Sequence, residues 1–363
     1  MSKYKKKILI ATGGTGGHVF PAYSLSEFFK KNDYKVELIT DKRGYKFLKD
    51  YKNLKLKIID SATIFTKNPF NLVISFLKIF LAFLKSIKFL YEFKPDLVFG
   101  MGGYSSFPIC IAAKIIGIPF IIYENNLIIG KTNQFLLPLS YKIFVSYPNL
   151  KGINKKYLKK VTQTGNIIRE EILNFKKNDL KNEENFTNIL VLGGSQAAKI
   201  FAEKLPNIFK RCNEEGFKIK IFQQCLDYQN KDLEKEYVQL NIQHEIFNFK
   251  HDILNYFHKA DLVITRSGAS MLAELLNCNL PIISIPLPTS ADNHQLKNGK
   301  YFEEKGYGFL VEENMIDKNL FGLIKSIYND KALLKDMKQK QKEHSDKKVF
   351  KKIQTHIEEL FND

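Results

Sequence analysis

Short, nearly continuous apolar runs alternate along this chain with longer stretches whose apolar residues recur at helical spacing. Val36–Thr40, Leu97–Phe99, Phe120–Tyr123 and Lys142–Val145 read as strands in the first half; Ile189–Leu192, Lys218–Gln223, Leu262–Thr265 and Ile282–Ile285 do so in the second. An unbroken apolar run has no polar face to offer water, so it predicts a strand covered on both sides, as in a parallel sheet. Strand and helix in alternation predict a doubly wound α/β sheet in each half.

Two stretches about 180 residues apart repeat one design. Lys7–Ala11 leads through Thr12 into Gly13-Gly14-Thr15-Gly16-Gly17-His18, and Asn188–Leu192 leads into Gly193-Gly194-Ser195-Gln196-Ala197-Ala198. Each is an apolar strand, a glycine turn and a helical pattern. The first turn of a helix leaves backbone N–H groups without partners, and together with the positive end of the helix dipole these suit an anion, usually phosphate. Two such units predict two nucleotide-fold halves facing a shared cleft. The joint falls near Thr164-Gly165-Asn166, and the charged segment 176–188 reads as a surface loop just inside the second half.

The segment 70–93 is helical in pattern but unusually apolar. Asn71, Ser75, Lys78, Lys85, Lys88 and Glu92 share an arc of roughly 140°, although Ile74, Leu81 and Phe89 fall inside it. Its lysines interrupt any would-be transmembrane span. Two readings stand side by side: a helix facing the core of the first half, and an interfacial helix with lysines at lipid phosphates and aromatics among the headgroups. Both can hold at different ends of the segment.

With 363 residues, 44% hydrophobic and 26% charged, the chain is long enough for two well-cored domains. The net charge of +18 points to an anionic surface or substrate, yet only four of the 56 basic residues are arginine (Arg43, Arg169, Arg211, Arg266) and none form a tract. Nucleic-acid readers carry arginine-rich or aromatic–basic registers, so nucleic acid is not expected. Cys110, Cys212, Cys225 and Cys278 form no close pair and read as reduced thiols of a cytoplasmic protein. The basic N-terminus runs straight into a strand, unlike a signal peptide.

The first glycine loop fits neither the dinucleotide fingerprint, since position 19 is Val, nor a P-loop, since no Gly-Lys-Ser/Thr follows. Asp41, at the end of the second strand, would hold a ribose in a dehydrogenase. His18, where loop becomes helix, is a candidate general base. A third glycine cluster, Gly100–Ser106, again follows a strand, where ligands bind in open α/β sheets. In the second half, Arg266-Ser267-Gly268-Ala269-Ser270 leads into a helix carrying Glu274, whose carboxylate can accept two hydrogen bonds from a ribose diol. The stretch 286–295 holds Asp292, Asn293, His294 and Gln295, and amides of this kind suit sugar hydroxyls.

Seven stretches in register resemble the MurG-type glycosyltransferases of bacterial cell-wall synthesis: GGTGGHVFPA, GMGGYSSFP, the segment 124–133, GNIIR, GGSQAA, RSGASMLAE and DNHQLKNG. The resemblance covers almost the whole chain. It implies an α/β, GT-B fold: two Rossmann-like domains with parallel sheets facing a central cleft, residues 1–165 forming the acceptor and membrane side, completed by a C-terminal helix at 345–363, and residues 166–344 binding the donor. It implies inverting transfer of N-acetylglucosamine from UDP-N-acetylglucosamine to lipid I, without metal or cofactor, at the cytoplasmic face of the inner membrane, on an anionic lipid surface and in a cell-wall synthesis complex. By position, it implies that the backbone near Lys250 meets uracil and Glu274 the ribose hydroxyls. Ser195, Arg169 and the turn of Ala269, Ser270, Met271 and Leu272 would meet ribose and diphosphate, and Gln295, with His294 or Asp292, the sugar hydroxyls. Thr15, Gly16, Gly17 and Asn126 would frame sugar and acceptor, with His18 as the base.

The chain departs from the family pattern at Tyr123-Glu124-Asn125-Asn126 (usually His-Glu-Gln-Asn), at Ala197 for glycine and at Gly299 for alanine. Rival readings are a transferase of the same fold acting on diacylglycerol or another polyprenyl lipid, and a basic protein without enzymatic activity; the latter needs neither the glycine loops nor Glu274 and Gln295.

Overall fold

The computed structural model describes residues 6–51, 54–62, 69–177, 187–194, 198–248, 250 and 252–362; for residues 69–72 it describes the backbone alone. The chain divides into two compact units, residues 1–169 with 346–363 and residues 170–345.

In the first unit the chain runs β1 (Lys7–Ala11), α1 (Gly16–Lys31), β2 (Lys35–Thr40), α2 (Lys42–Leu48), β3 (Leu56–Ile58) and α3 (Pro69–Phe93). It continues through β4 (Leu97–Gly100), α4 (Ser106–Ile115), β5 (Phe120–Glu124), α5 (Lys131–Leu136), β6 (Ile143–Val145) and β7 (Val161–Gln163). The seven strands lie in the order β3-β2-β1-β4-β5-β6-β7, all parallel. Ile8 pairs with Val36 on one side and Leu97 on the other. The order therefore reverses at β1/β4, and the loops leaving the carboxyl ends of these two strands diverge around a crevice.

Side chains alternate across the sheet. Leu9, Ala11, Val98 and Ile122 pack with Phe89, Leu90 and Phe93 of α3 and with Ile109, Ala112 and Ala113 of α4. On the other face Phe144 meets His356, with ring centroids 5.9 Å apart. Helix α3 is two things along its length. Its end joins this core, whereas Val73, Phe76, Leu77, Phe80, Leu81 and Leu84 are between 45% and 67% exposed. No helix among the described residues is long and apolar enough to cross a membrane.

The second unit runs α6 (Glu170–Leu173), β8 (Thr187–Leu192), α7 (Lys199–Glu214), β9 (Ile219–Gln224), α8 (Asn230–Gln239), β10 (Gln243–Phe247) and α9 (Leu254–Lys259). It continues through β11 (Leu262–Thr265), α10 (Ala269–Asn277), β12 (Ile282–Ser284), α11 (His294–Glu304), β13 (Phe309–Leu310), α12 (Phe321–Asn329) and α13 (Ala332–Lys342). Its six strands, also parallel, take the order β10-β9-β8-β11-β12-β13, so the reversal falls at β8/β11. Ile189, Val191, Ile264 and Ile283 pack on Phe201, Leu205, Phe209 and Ile324. The strands absent from the sequence reading, β3, β7, β10 and β13, include both edges of each sheet.

Helix α14 (Val349–Asn362) returns to the first unit, where Phe350 stacks on Phe28 with ring centroids 5.0 Å apart and Glu358 accepts a hydrogen bond from the Tyr34 hydroxyl. Just before it, buried Asp346 accepts from the backbone N–H of Asn166 at 2.8 Å and from its Nδ2 at 3.1 Å. Deleting that carboxylate leaves a buried amide without a partner, which costs on the order of 2 kcal/mol. Asp346→Ala is therefore expected to lower the urea midpoint for unfolding of the first unit, and Asp346→Asn to recover part of the loss, as followed by denaturant titration.

Candidate active site

In the first unit three loops converge at the carboxyl ends of β1, β4 and β5. The loop after β1 enters α1 through Thr15, in extended conformation, with the backbone N–H of His18 bonded to the Thr15 carbonyl at 3.1 Å. The loop after β4 contains Gly102 (φ +84°) and Gly103 (φ +78°), a backbone that only glycine adopts without strain. A Cβ on Gly103 would stand 2.8 Å from the Gly13 carbonyl oxygen, and one on Gly102 would stand 3.0 Å from Cε1 of His18. The two glycine loops thus touch backbone to backbone, with the partly buried His18 ring laid against Gly102.

The third loop is organised by Glu124, which is 2% exposed. Its Oε1 accepts from the N–H of Asn126 at 3.0 Å and from Asn126 Nδ2 at 2.9 Å; its Oε2 accepts from the N–H of Gly130 at 2.8 Å and from Asn133 Nδ2 at 3.0 Å. Asn125 donates through Nδ2 to the Gly17 carbonyl at 2.9 Å. Asn126 is therefore fixed in direction, on the same loop set as Thr15, Gly16 and Gly17. Tyr123 points the other way, into the interior. Its hydroxyl lies 2.8 Å from Ser146 Oγ, donates to the Gly165 carbonyl and accepts from the Ile167 N–H at 2.9 Å. Burial pushes this phenol far above its ordinary pKa, so it stays an O–H donor. The departure at position 123 thus braces the segment 165–167 rather than the loop surface.

Asp41 is engaged in the same manner. Its Oδ1 accepts from the N–H groups of Gly14 (3.1 Å) and Gly44 (2.8 Å), and its Oδ2 accepts from Arg43 Nε (3.0 Å) and Nη2 (2.8 Å). Both oxygens are occupied in holding the first glycine loop, which corrects the reading of Asp41 as a ribose holder.

In the second unit the reversal at β8/β11 exposes the corresponding ends. The N–H of Gly193, after β8, is held by Gln224 Oε1 at 3.2 Å. Ser195, like Gln196 and Ala197, lies outside the described residues. After β11, Gly268 caps α10, and Leu272 makes the first helical bond, to the Gly268 carbonyl at 3.0 Å. The N–H groups of Ala269, Ser270 and Met271 precede that bond, as a helix start requires. Ala269 and Leu272 are buried, Ser270 and Met271 are partly exposed, and Glu274, one turn further, is 7% exposed. Arg169, partly buried and just before α6, belongs to the first unit and is not grouped with these residues.

The loop between β12 and α11 is held from beneath by buried Arg266. Its Nη1 donates to the carbonyls of Ile285 (3.3 Å) and Pro286 (3.2 Å), and its Nη2 pairs with Glu313. Asp292 (φ +50°) and Asn293 (φ +53°) are consecutive left-handed non-glycine residues, a costly backbone of the kind that collects at ligand sites. His294 Nδ1 lies 2.8 Å from the Ala291 carbonyl, which can only accept, so Nδ1 is the donor in this contact. Gln295 Oε1 accepts from the Leu287 N–H at 3.0 Å, leaving its Nε2 as a donor. Lys250 stands apart, beyond edge strand β10: it is exposed, bonded through Nζ to the Tyr256 hydroxyl at 2.9 Å and set over the stacked rings of Phe247 and Tyr256. The departure at Gly299 has a steric cause, because a Cβ there would meet Leu310 Cδ1 at 2.7 Å and Ser267 Oγ at 3.1 Å.

The structure thus gathers His18, Thr15, Gly16, Gly17 and Asn126 in one unit, and Ala269, Ser270, Met271, Leu272, Glu274, His294 and Gln295 in the other. The sequence reading did not identify Glu124, Asp41 and Arg266 as braces. Their only signal was a charged residue at the end of a buried strand, where an unpaired charge would be costly.

Residues 8–145 match the glycosyltransferase family 28 N-terminal domain and residues 188–353 the glycosyltransferase family 28 C-terminal domain. A Rickettsia felis protein is 37% identical over 92% of this chain and 94% of its own length, and one from Pelagibacter ubique is 35% identical over 99% of each. Both are named UDP-N-acetylglucosamine–N-acetylmuramyl-(pentapeptide) pyrophosphoryl-undecaprenol N-acetylglucosamine transferase. The crystal structure of Acinetobacter baumannii MurG superposes with a TM-score of 0.76 at 26% identity, covering 98% of this chain and 99% of that one.

Burial alone would raise the Asp41 pKa, but the Gly44 and Gly14 amides and Arg43 outweigh it and hold the carboxyl below its ordinary value. The ionised form therefore favours the folded chain. Its contribution is complete above the unfolded value of about 3.9 and is lost as pH falls through the lower folded value. Melting temperatures recorded from about pH 6 down to about pH 3 should fall less steeply for Asp41→Asn than for the parent.

Proposed function

The chain belongs to glycosyltransferase family 28 and, within it, to the MurG-type enzymes, and on that premise we propose how its residues perform the reaction. It transfers N-acetylglucosamine from UDP-N-acetylglucosamine to the 4-hydroxyl of N-acetylmuramic acid in lipid I, giving lipid II for peptidoglycan. The acceptor oxygen attacks the anomeric carbon opposite the leaving diphosphate. The bond from that carbon to UDP breaks, the new β-(1→4) bond forms with inversion, and the acceptor's proton passes to His18. Support for His18 comes from its placement: a histidine ring held against a glycine backbone, at the sheet's reversal point, next to Gly17, whose carbonyl Asn125 holds.

The donor belongs to the second unit. The N–H groups of Ala269, Ser270 and Met271 and the α10 dipole suit the diphosphate, where negative charge grows as UDP leaves, with Arg169 adding a cation. Glu274, on the second turn of that helix, accepts from the ribose hydroxyls, and Gln295 Nε2 donates to those of the sugar. By family resemblance Ser195 meets the ribose or diphosphate, and the backbone at Lys250 takes the base. The first unit, residues 1–169 with 346–363, serves acceptor and membrane, and the second, residues 170–345, serves the donor.

The acceptor is anchored in lipid, so the enzyme works as a peripheral protein on the cytoplasmic face of the inner membrane, within reach of later cell-wall enzymes with which family membership suggests a complex. The exposed apolar length of α3, with Lys78, Lys85 and Lys88 beside it, is the docking surface.

Transfer of labelled N-acetylglucosamine from UDP-N-acetylglucosamine to a short-chain lipid I analogue, with UDP-glucose as the control donor, tests the reaction. We expect His18→Ala to lose about 10²–10⁴-fold in turnover while UDP still raises its melting temperature, and Glu274→Ala to lose that UDP response. Near-normal turnover in His18→Ala would remove the base assignment. For the membrane, replacing Phe76, Phe80 and Leu84 with serine should abolish sedimentation with anionic vesicles and leave transfer to a water-soluble acceptor intact; undiminished sedimentation would exclude this face.

A further inference from the structure

The segment that leads out of the first unit is held by side chains instead of a backbone ladder. Strand β7 ends at Gln163 and α6 begins at Glu170; residues 164–169 belong to neither strand nor helix. Yet the stretch is fixed residue by residue. The Tyr123 hydroxyl donates to the Gly165 carbonyl at 3.2 Å and accepts from the Ile167 N–H at 2.9 Å. Asp346 takes the N–H and Nδ2 of Asn166 between them. Gly165 has φ +104°, and a Cβ there would stand 2.6 Å from Asp346 Oδ1, so this backbone lies directly on the carboxylate. Ile167 and Ile168 are 1% and 2% exposed. Arg169, the last residue of the unit before its return at Asp346, follows at once.

A phenol is matched to this task, because it has one hydrogen to give and two lone pairs to receive. With the hydrogen on the Gly165 carbonyl, the lone pairs accept from Ile167 and from Ser146 Oγ, 2.8 Å away. Burial keeps the group protonated. The residue is anchored at its backbone as well, since its carbonyl accepts from Asn133 Nδ2 at 2.9 Å. The other three arginines are committed elsewhere: Arg43 to Asp41, Arg211 to the face of Phe321 at 4.0 Å, and Arg266 to Glu313 and two carbonyls. A guanidinium meets phosphate oxygens as a planar fork, so its usefulness depends on the direction of the backbone that carries it. A misplacement of about 1 Å can cost on the order of 10²-fold in rate.

Resting on the transferase reading above, in which Arg169 adds a cation at the donor diphosphate, we propose that Tyr123 is a positioning residue for the donor, its hydroxyl setting the backbone from which Arg169 reaches the phosphates. Tyr123 is 2% exposed and acts only through that segment. Its influence falls on the phosphate part of the donor and leaves the nucleoside and the acceptor alone. The next residues along the chain, Glu124 to Asn126, form the loop assigned to sugar and acceptor, so the end of β5 serves both substrates from consecutive positions.

The test is Tyr123→Phe in the full-length protein, which keeps the ring and its packing and removes the hydroxyl. UDP and uridine are the probes, bound at low temperature so that a lowered melting point does not enter. UDP should bind about tenfold more weakly to the variant, and uridine equally to both. In transfer assays with a short-chain acceptor, the KM for UDP-N-acetylglucosamine should rise by a similar factor and that for the acceptor should not move. In an Arg169→Ala background, adding Tyr123→Phe should change UDP affinity by less than about twofold, because the two residues act as one unit. Ser146→Ala removes a buried bond of the same phenol without touching the segment, and it should lower the melting temperature while leaving the UDP-to-uridine ratio at the parent's value. Equal weakening of UDP and uridine, unchanged UDP binding, or full additivity with Arg169→Ala would each overturn the proposal. If the parent transfers no sugar, the transferase reading fails by itself, and the UDP-to-uridine ratios still decide whether Tyr123 acts on phosphate through Arg169.

Discussion

Two loops in the first unit meet only because neither carries a side chain where they touch. Gly103 lies on the Gly13 carbonyl at a separation that a single Cβ would violate, and Gly102 lies equally close to the His18 ring. Such contact fixes the spacing of β1 and β4 at their carboxyl ends, and with it the position of the His18 ring. Everything around it keeps these two backbones in place. Asp41 ties down Gly14, Asn125 ties down Gly17, and Glu124 collects four donors from the third loop. A carboxylate surrounded by amides in this way is hard to rotate, because each bond lost would leave a buried group unpaired.

The second unit solves a related problem with different residues. There the cation Arg266 sits beneath the loops and gathers carbonyl oxygens from the β12 exit, while Glu313 balances its charge. This support lets the loop above adopt two successive left-handed residues and present His294 and Gln295 in fixed orientations. Acidic braces thus collect N–H groups in one unit, and a basic brace collects carbonyls in the other.

Much of this was legible in the sequence. The central strands are apolar on both faces, so their continuous runs stood out, and the glycine turns marked their carboxyl ends. Helix α3 was legible as an ambiguity, and the structure divides it along its length, core-facing at Phe89, Leu90 and Phe93 and exposed at Phe76 and Phe80. The edge strands were not legible. Leu56–Ile58, Val161–Gln163, Gln243–Phe247 and Phe309–Leu310 are short or mixed with polar residues, because an edge strand is covered incompletely. Nor were the braces: Asp41 and Glu124 each end a strand as any polar residue might, and only the folded loops show which N–H groups they collect. Asp41 could be weighed as a ribose carboxylate, in the dehydrogenase alternative alone, for that reason.

The return of α14 has a consequence for the order in which the protein is made. Synthesis proceeds at about 5–20 residues per second, so the stretch between Arg169 and Asp346 takes on the order of 10–35 s to emerge from the ribosome. For that interval the first-made unit lacks its closing helix: Phe28 has no Phe350 to stack on and Asn166 no Asp346. The part of the chain translated first is therefore the last to be completed, and a nascent chain stalled anywhere in the second unit displays an uncovered aromatic surface on the first.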